Sequence, residues 1–296
     1  MLSFLTVALY SQEVDYARKY EMLVSRLGPS GVGVETLLDS WKKADSTNVQ
    51  MLSARIQYYL SKSCSPDVVT RPEKNYLGMQ PIFSLKDSTG TDVYYYQVDR
   101  FDDELFGMAL SEIDNASALY PDMLDFRFMK ANAYMTYEKE SPDMALAYLQ
   151  DLVREDNAGK RKWMCNGTDA VPGFFKDVIQ EYCATLYTLG TPSAMEAFLK
   201  LSELMMKMYP AASEFITNVG SYHMKARNDS KTALKHYAKA IKKNPKDYPA
   251  VRNAVIAARK VKNVKQEKKY LAMLVELAPE NEKMVAKARL EALNSK

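Results

Sequence analysis

The chain is short of residues that break helices, with eleven glycines and twelve prolines among 296 residues. That scarcity suits a helical protein. No apolar run reaches about 18 residues, which excludes a membrane-spanning helix. Three cysteines, Cys64, Cys165 and Cys183, cannot build a disulfide framework, because one pair at most can form and an odd thiol remains. Two histidines, His223 and His236, have no Cys or His at metal-site spacing, so they read as polar surface or groove residues. The phosphate-cradling patterns Gly-x4-Gly-Lys-Ser/Thr and Gly-x-Gly-x2-Gly are missing, as are Gly-x-Ser-x-Gly, His-Glu-x2-His and Cys-x2-Cys. The expectation is therefore no catalytic residues, no cofactor and no metal. A carboxylate-only enzyme stays open, because paired carboxylates have no sequence spacing to recognise.

What the chain has in abundance is methionine and tyrosine, 17 and 20 of them, which suit the filling of helix–helix interfaces. It also repeats itself. Ala233, Tyr237, Ala240 and Pro245 stand at gaps of four, three and five, and Glu267, Leu271, Leu274 and Pro279 keep those gaps 34 residues later. Ala109, Ile113, Ala116 and Pro121 do the same. Ala145, Leu149, Leu152 and Asn157 follow with Asn for Pro, and Ala197, Leu201, Leu204 and Pro210 with one residue more before Pro. Gaps of four and three lie on one helical face, and the proline ends the helix. A fixed period of this size signals stacked helix pairs, since one pair cannot bury its apolar face alone.

Over about residues 100 to 280 this resembles the tetratricopeptide (TPR) family, whose helix B carries Ala-x3-Phe-x2-Ala-x4-Pro. The likeness is good in helix B. In helix A, Thr217, Gly220, Ser221 and Met224 stand where Trp, Leu, Gly and Tyr would. The resemblance implies an all-α, TPR-like α-solenoid of stacked antiparallel helix pairs.

In chain order, residues 1–12 (MLSFLTVALYSQ) read as a signal-peptide remnant, although no basic segment precedes the apolar run. The Tyr-Ser-Gln junction resembles processing sites of exported Bacteroidetes proteins. The expected location is thus exported, periplasmic or envelope-associated, with cytoplasmic as the alternative. Residues 13–62 form a divergent N-terminal unit with helices before Gly28-Pro29, over 34–44 and over 48–61. In residues 63–100, Pro66, Pro72, Gly78 and Pro81 break the helical period, and runs at 82–85 and 93–98 flank Asp87-Ser88-Thr89-Gly90 as a hairpin. Residues 101–280 hold the repeats, interrupted by a polar loop at 155–173, and 281–296 form a charged capping helix. Asn166-Gly167-Thr168 matches a glycosylation acceptor pattern.

The net charge of +3 hides an asymmetry. From Glu214 to Lys296 there are 19 Lys and Arg against 8 Asp and Glu. A basic end is an electrostatic handle for an anionic partner. In TPR arrays, helix A lines the concave surface and usually carries the binding positions. Aligning Ala131, Ala184, Ser221 and Val255 as the small packing position puts Asn132, Asn218, Tyr222, Lys225, Arg252 and Arg259 in that groove. The resemblance then implies a non-enzymatic scaffold holding a protein or peptide partner, acidic where it meets Arg252 and Arg259, with no nucleic acid expected. The alternative is a helical-repeat enzyme or carbohydrate-binding protein with its site near the Tyr-rich insertion and the 155–173 loop.

Overall fold

The computed structural model describes residues 15–295. Helices α1 (Tyr16–Leu27), α2 (Val34–Ala44) and α3 (Val49–Ser63) lead into strands β1 (Cys64–Arg71), β2 (Phe83–Lys86) and β3 (Asp92–Phe101). Then come α4 (Asp103–Leu119), α5 (Leu124–Tyr137) and α6 (Asp143–Asn157), with β4 (Met164–Cys165) and β5 (Thr168–Asp169) in the following loop. The rest is helical: α7 (Phe174–Leu189), α8 (Pro192–Met208), α9 (Ser213–Lys225), α10 (Ser230–Lys243), α11 (Tyr248–Lys260), α12 (Val264–Leu277) and α13 (Glu280–Asn294). The fold is an all-α, TPR-like solenoid of paired helices with small sheet insertions. The expected signal-peptide remnant at 1–12 lies outside the described residues.

Two compact units divide the described residues: 15–67 with Val98–Pro121, and Val68–Gln97 with 122–295. In the first, α3 packs between α2 and α4. Its core includes Leu38, Met51, Leu52, Ile56, Phe106 and Ile113. Arg55, itself buried, bridges Asp39 on α2 (2.7 Å) and Glu112 on α4 (2.9 Å). Asp102 caps α4 by accepting from the Leu105 amide at 3.0 Å, and Asp103 and Glu104 stand in the first turn, where carboxylates favour the helix dipole.

In the second unit each helix packs on the next from α7 to α13, while α6 also packs on α8. The repeated positions form its core. Ala145, Leu149, Ala197, Leu201, Ala233, Tyr237, Ala240, Leu271 and Leu274 are all buried. Helix ends follow the local chemistry. Asn244 closes α10 before Pro245, and Asp247 caps α11 by accepting from the Ala250 amide at 2.9 Å. Thr191 caps α8 with Pro192 in the first turn. Ala240 has no exposed surface, so Ala240→Trp should overpack the interface and cost roughly 1–3 kcal/mol. A thermal melt reads this directly, and an unchanged midpoint would contradict close contact at that residue.

The expected hairpin is present: β2 pairs antiparallel with β3, Phe83 opposite Tyr95 and Leu85 opposite Val93. Its sheet also has a strand that the proline count concealed, because β1 contains Pro66. The order β1-β3-β2 puts β1 at an edge, the place in a sheet where proline is tolerated. The 155–173 loop likewise holds a small hairpin, β4–β5, turned by Asn166 and Gly167 at φ 50° and 74°. Asn-Gly is the usual signal for such a turn.

Candidate functional site

Successive A helices of the second unit are α5, α7, α9, α11 and α13, and polar side chains join them. The Tyr182 hydroxyl on α7 donates to Asn132 Oδ1 on α5 at 2.8 Å. Gln180 on α7 and Asn218 on α9 exchange both amide hydrogen bonds, at 2.8 and 3.2 Å. Asn253 on α11 reaches Ser221 on α9 at 3.4 Å. On α11, Arg252 Nε donates to Glu282 of α13 at 3.0 Å, and the Tyr248 hydroxyl bonds the same carboxylate.

Each candidate residue thus has a partner within the chain, and the six differ in exposure. Asn132, Lys225, Arg252 and Arg259 are exposed. Asn218 and Tyr222 are buried. The cause is the position of α9, whose Phe215 and Tyr222 enter one apolar cluster while its Ile216 enters the next. A helix buried on most sides offers a ligand only its last turn, where Lys225 is exposed. The Tyr222 hydroxyl donates to Glu196 on α8, and burial together with that carboxylate pushes its pKa up.

The small packing position also differs from expectation in two places. Ala184 is exposed while neighbouring Cys183 is fully buried. On α9 the tight residue is Gly220, not Ser221: a Cβ there would stand 2.6 Å from a Tyr237 ring carbon. A one-residue shift turns a helix by about 100°, enough to move a side chain from groove to core.

Lys225 donates to the Tyr187 carbonyl at 2.6 Å in the last turn of α7, with its ammonium 4.0 Å from the Tyr187 ring centre. Partial burial lowers its pKa. A cation there answers the negative end of the helix. Arg259 and Arg289 converge on Glu267, both at Oε1, at 2.9 and 3.0 Å. Glu267 is 3% exposed. Burial alone would raise its carboxyl, but the bonds from Arg289 and Arg259 outweigh burial and hold it below 4.5. The fork of Arg252 and that of Arg259 remain about half exposed, at 47% and 53% of the side chain. They lie seven residues apart, two turns along one face of α11.

The region of the alternative reading is an open cleft of about 410 Å³ lined by Asp156, Lys162, Trp163, Phe175, Lys176 and Tyr209, among others. Trp163 stacks on Phe175 and donates to Asp156 at 2.7 Å, and Tyr209 donates to the same carboxylate. Asp169, the cleft's other carboxylate, is paired with Lys162 at 2.9 Å. In the Tyr-rich insertion, Tyr96 is buried with its hydroxyl on the Glu73 carbonyl at 2.7 Å. Stacking of His223 on His236 at 5.4 Å, across α9 and α10, had no signal in the sequence, because the two rings meet only through helix packing.

The geometry defines a class, the TPR-like helical-repeat proteins, through core residues at gaps of four and three along the B helices and A helices joined by polar pairs. No family model matches the chain, and no curated protein matches it. Among solved structures it is similar to "Functional Characterization of Pseudomonas Aeruginosa pilF", 14% identical, with 65% of this chain and 78% of that one covered at a TM-score of 0.42. It is also similar to "Crystal Structure of the Yeast Tom70", 12% identical, with 95% of this chain but only 46% of that one covered at a TM-score of 0.37. Among the described residues no helix is long and apolar enough to cross a membrane.

Proposed function

We propose that the protein is a non-enzymatic scaffold that holds an extended peptide of a protein partner along its A helices. The peptide's acidic portion lies against Arg252 and Arg259. The observation that carries this reading is the pair of half-exposed guanidinium groups two turns apart on α11. Each is held in place by one carboxylate while it still presents free N–H groups. Planar forks fixed in this way suit carboxylates, which they can bind bidentately. Asn132 and Lys225 supply exposed polar contacts further along, whereas Asn218 ties α9 to α7 and Tyr222 ties it to α8.

The test is a display selection of peptides on the whole protein, followed by affinity measurements for the enriched sequences. Selected peptides should be acidic and should bind less tightly as salt rises. Removing Arg259 would leave the buried Glu267 with Arg289 alone, so the informative variant is Arg252→Ala with Arg259→Ala and Glu267→Met. It should lose at least tenfold in affinity while Lys246→Ala, an exposed control, binds normally. Unchanged affinity in the triple variant, with an intact fold, would remove the arginines from the site.

A further inference from the structure

The basic C-terminal region has a second surface, made by helices α10 and α12. Between Asp229 and Glu276 only two carboxylates occur, Asp247 and Glu267, and both are buried. The lysines of the same stretch point outward. Lys231, Lys235, Lys239 and Lys242 recur at four-, four- and three-residue gaps and share one exposed face of α10. Lys265 and Lys269 are exposed one turn apart on α12. No ion pair among the described residues involves any of these six. A cleft of about 530 Å³ brings the two helices together, with Lys231 and Lys235 at its rim and Leu234, Ala238 and Val261 in its lining. Solubility alone calls for charges of both signs interspersed. Here one sign stands alone over α10 and the first half of α12, up to the exposed Glu276 near the end of α12.

The turn beside the cleft has a second feature. Val261 and Val264 are 36% and 48% exposed, in the sequence Lys260-Val261-Lys262-Asn263-Val264-Lys265. Exposed valines between lysines combine shallow apolar contact with charge. The tyrosines of these two helices, Tyr237 and Tyr270, are buried and so are not offered for base stacking. The cations of this face are lysines, whose compact, hydrated charges suit a diffuse anionic surface better than bidentate recognition. Clusters of four to eight such residues attract anionic headgroups, each with its own increment of binding.

We propose that the lysine face of α10 and α12, with the Val261–Val264 turn, docks this protein on an anionic lipid surface. Attraction is electrostatic, the valines enter the headgroup layer, and Arg252 and Arg259, tied to Glu282 and Glu267, take no part.

Sedimentation of the full chain with vesicles tests this. Phosphatidylcholine vesicles containing phosphatidylglycerol should pull the protein down at low salt, and pure phosphatidylcholine vesicles should not. High salt should release it. Lys231→Glu/Lys235→Glu/Lys239→Glu should weaken partitioning roughly a hundredfold or more. Val261→Ser/Val264→Ser should weaken it severalfold at unchanged charge. Lys160→Glu/Lys200→Glu/Lys207→Glu makes the same change in net charge at exposed sites elsewhere and should retain most of the binding. Circular dichroism melts confirm that each variant folds. Equal loss in the two glutamate variants would reduce the effect to net charge and overturn the proposal. So would failure to bind anionic vesicles at low salt, with or without retention of RNA or an acidic protein by the same face.

Discussion

Arg259→Ala with Arg289→Ala should be among the most damaging changes to the repeats, costing about 3–5 kcal/mol, because it leaves the Glu267 carboxylate buried without a partner. Both arginines are largely solvated at their outer ends, so most of the cost is the stranded anion rather than the lost attraction. Adding Glu267→Met to the double variant should therefore recover most of the loss. Repeat stabilities depend on nearest neighbours, so amide exchange should rise first in α11–α13. A pH dependence accompanies the trio. The folded-state pKa of Glu267 is depressed, so its contribution is present above the unfolded carboxyl value and disappears as pH falls through the folded one. The wild type should lose stability below about pH 4.5, and a variant carrying Glu267→Met should lose less. A double-arginine variant as stable as the wild type would show that water reaches this carboxylate.

Gly220→Leu should be comparably severe, on the order of 3 kcal/mol, through overpacking at the junction of α9 and α10. A Cβ at residue 220 would stand 2.6 and 2.9 Å from two Tyr237 ring carbons and 3.2 Å from the Ala233 carbonyl. Tyr237 has no exposed surface through which to retreat. Tyr237→Ala alone should cost about 3–5 kcal/mol by opening a cavity. In that background the leucine has room, so the two losses should combine to well under their sum. Denaturant melts of the four proteins complete the cycle. Additive losses would mean that the glycine's tolerance is set by something other than the tyrosine ring.

Much of the architecture was readable from local pattern. The four-three-five gaps name residues such as Ala233, Tyr237 and Ala240 that lie in the core, and Pro245 with Asp247 marks where α10 ends and α11 begins. These depend on helical period and capping, which are properties of a few adjacent residues. The site was less readable. Arg252 and Arg259 were found as exposed cations on α11, but their tethering to Glu282 and Glu267 joins residues far apart in sequence. The A-helix register was off by one residue at Cys183 and Gly220, because small residues stand side by side there and only packing chooses between them. The burial of Asn218 and Tyr222 depends on α9 lying between two clusters, which no property of α9 alone states.

The sequence by itself determined the helix pairs, their period and the excess of positive charge at the C-terminal end. Composition and periodicity carry these without reference to contacts. Only the tertiary structure decided where that charge goes. It buried Asp247 and Glu267, the two carboxylates between Asp229 and Glu276, and left the neighbouring lysines facing water. The reason is physical. A buried carboxylate keeps its charge only where donors from other helices meet it, and those meetings are made by packing rather than by sequence neighbours.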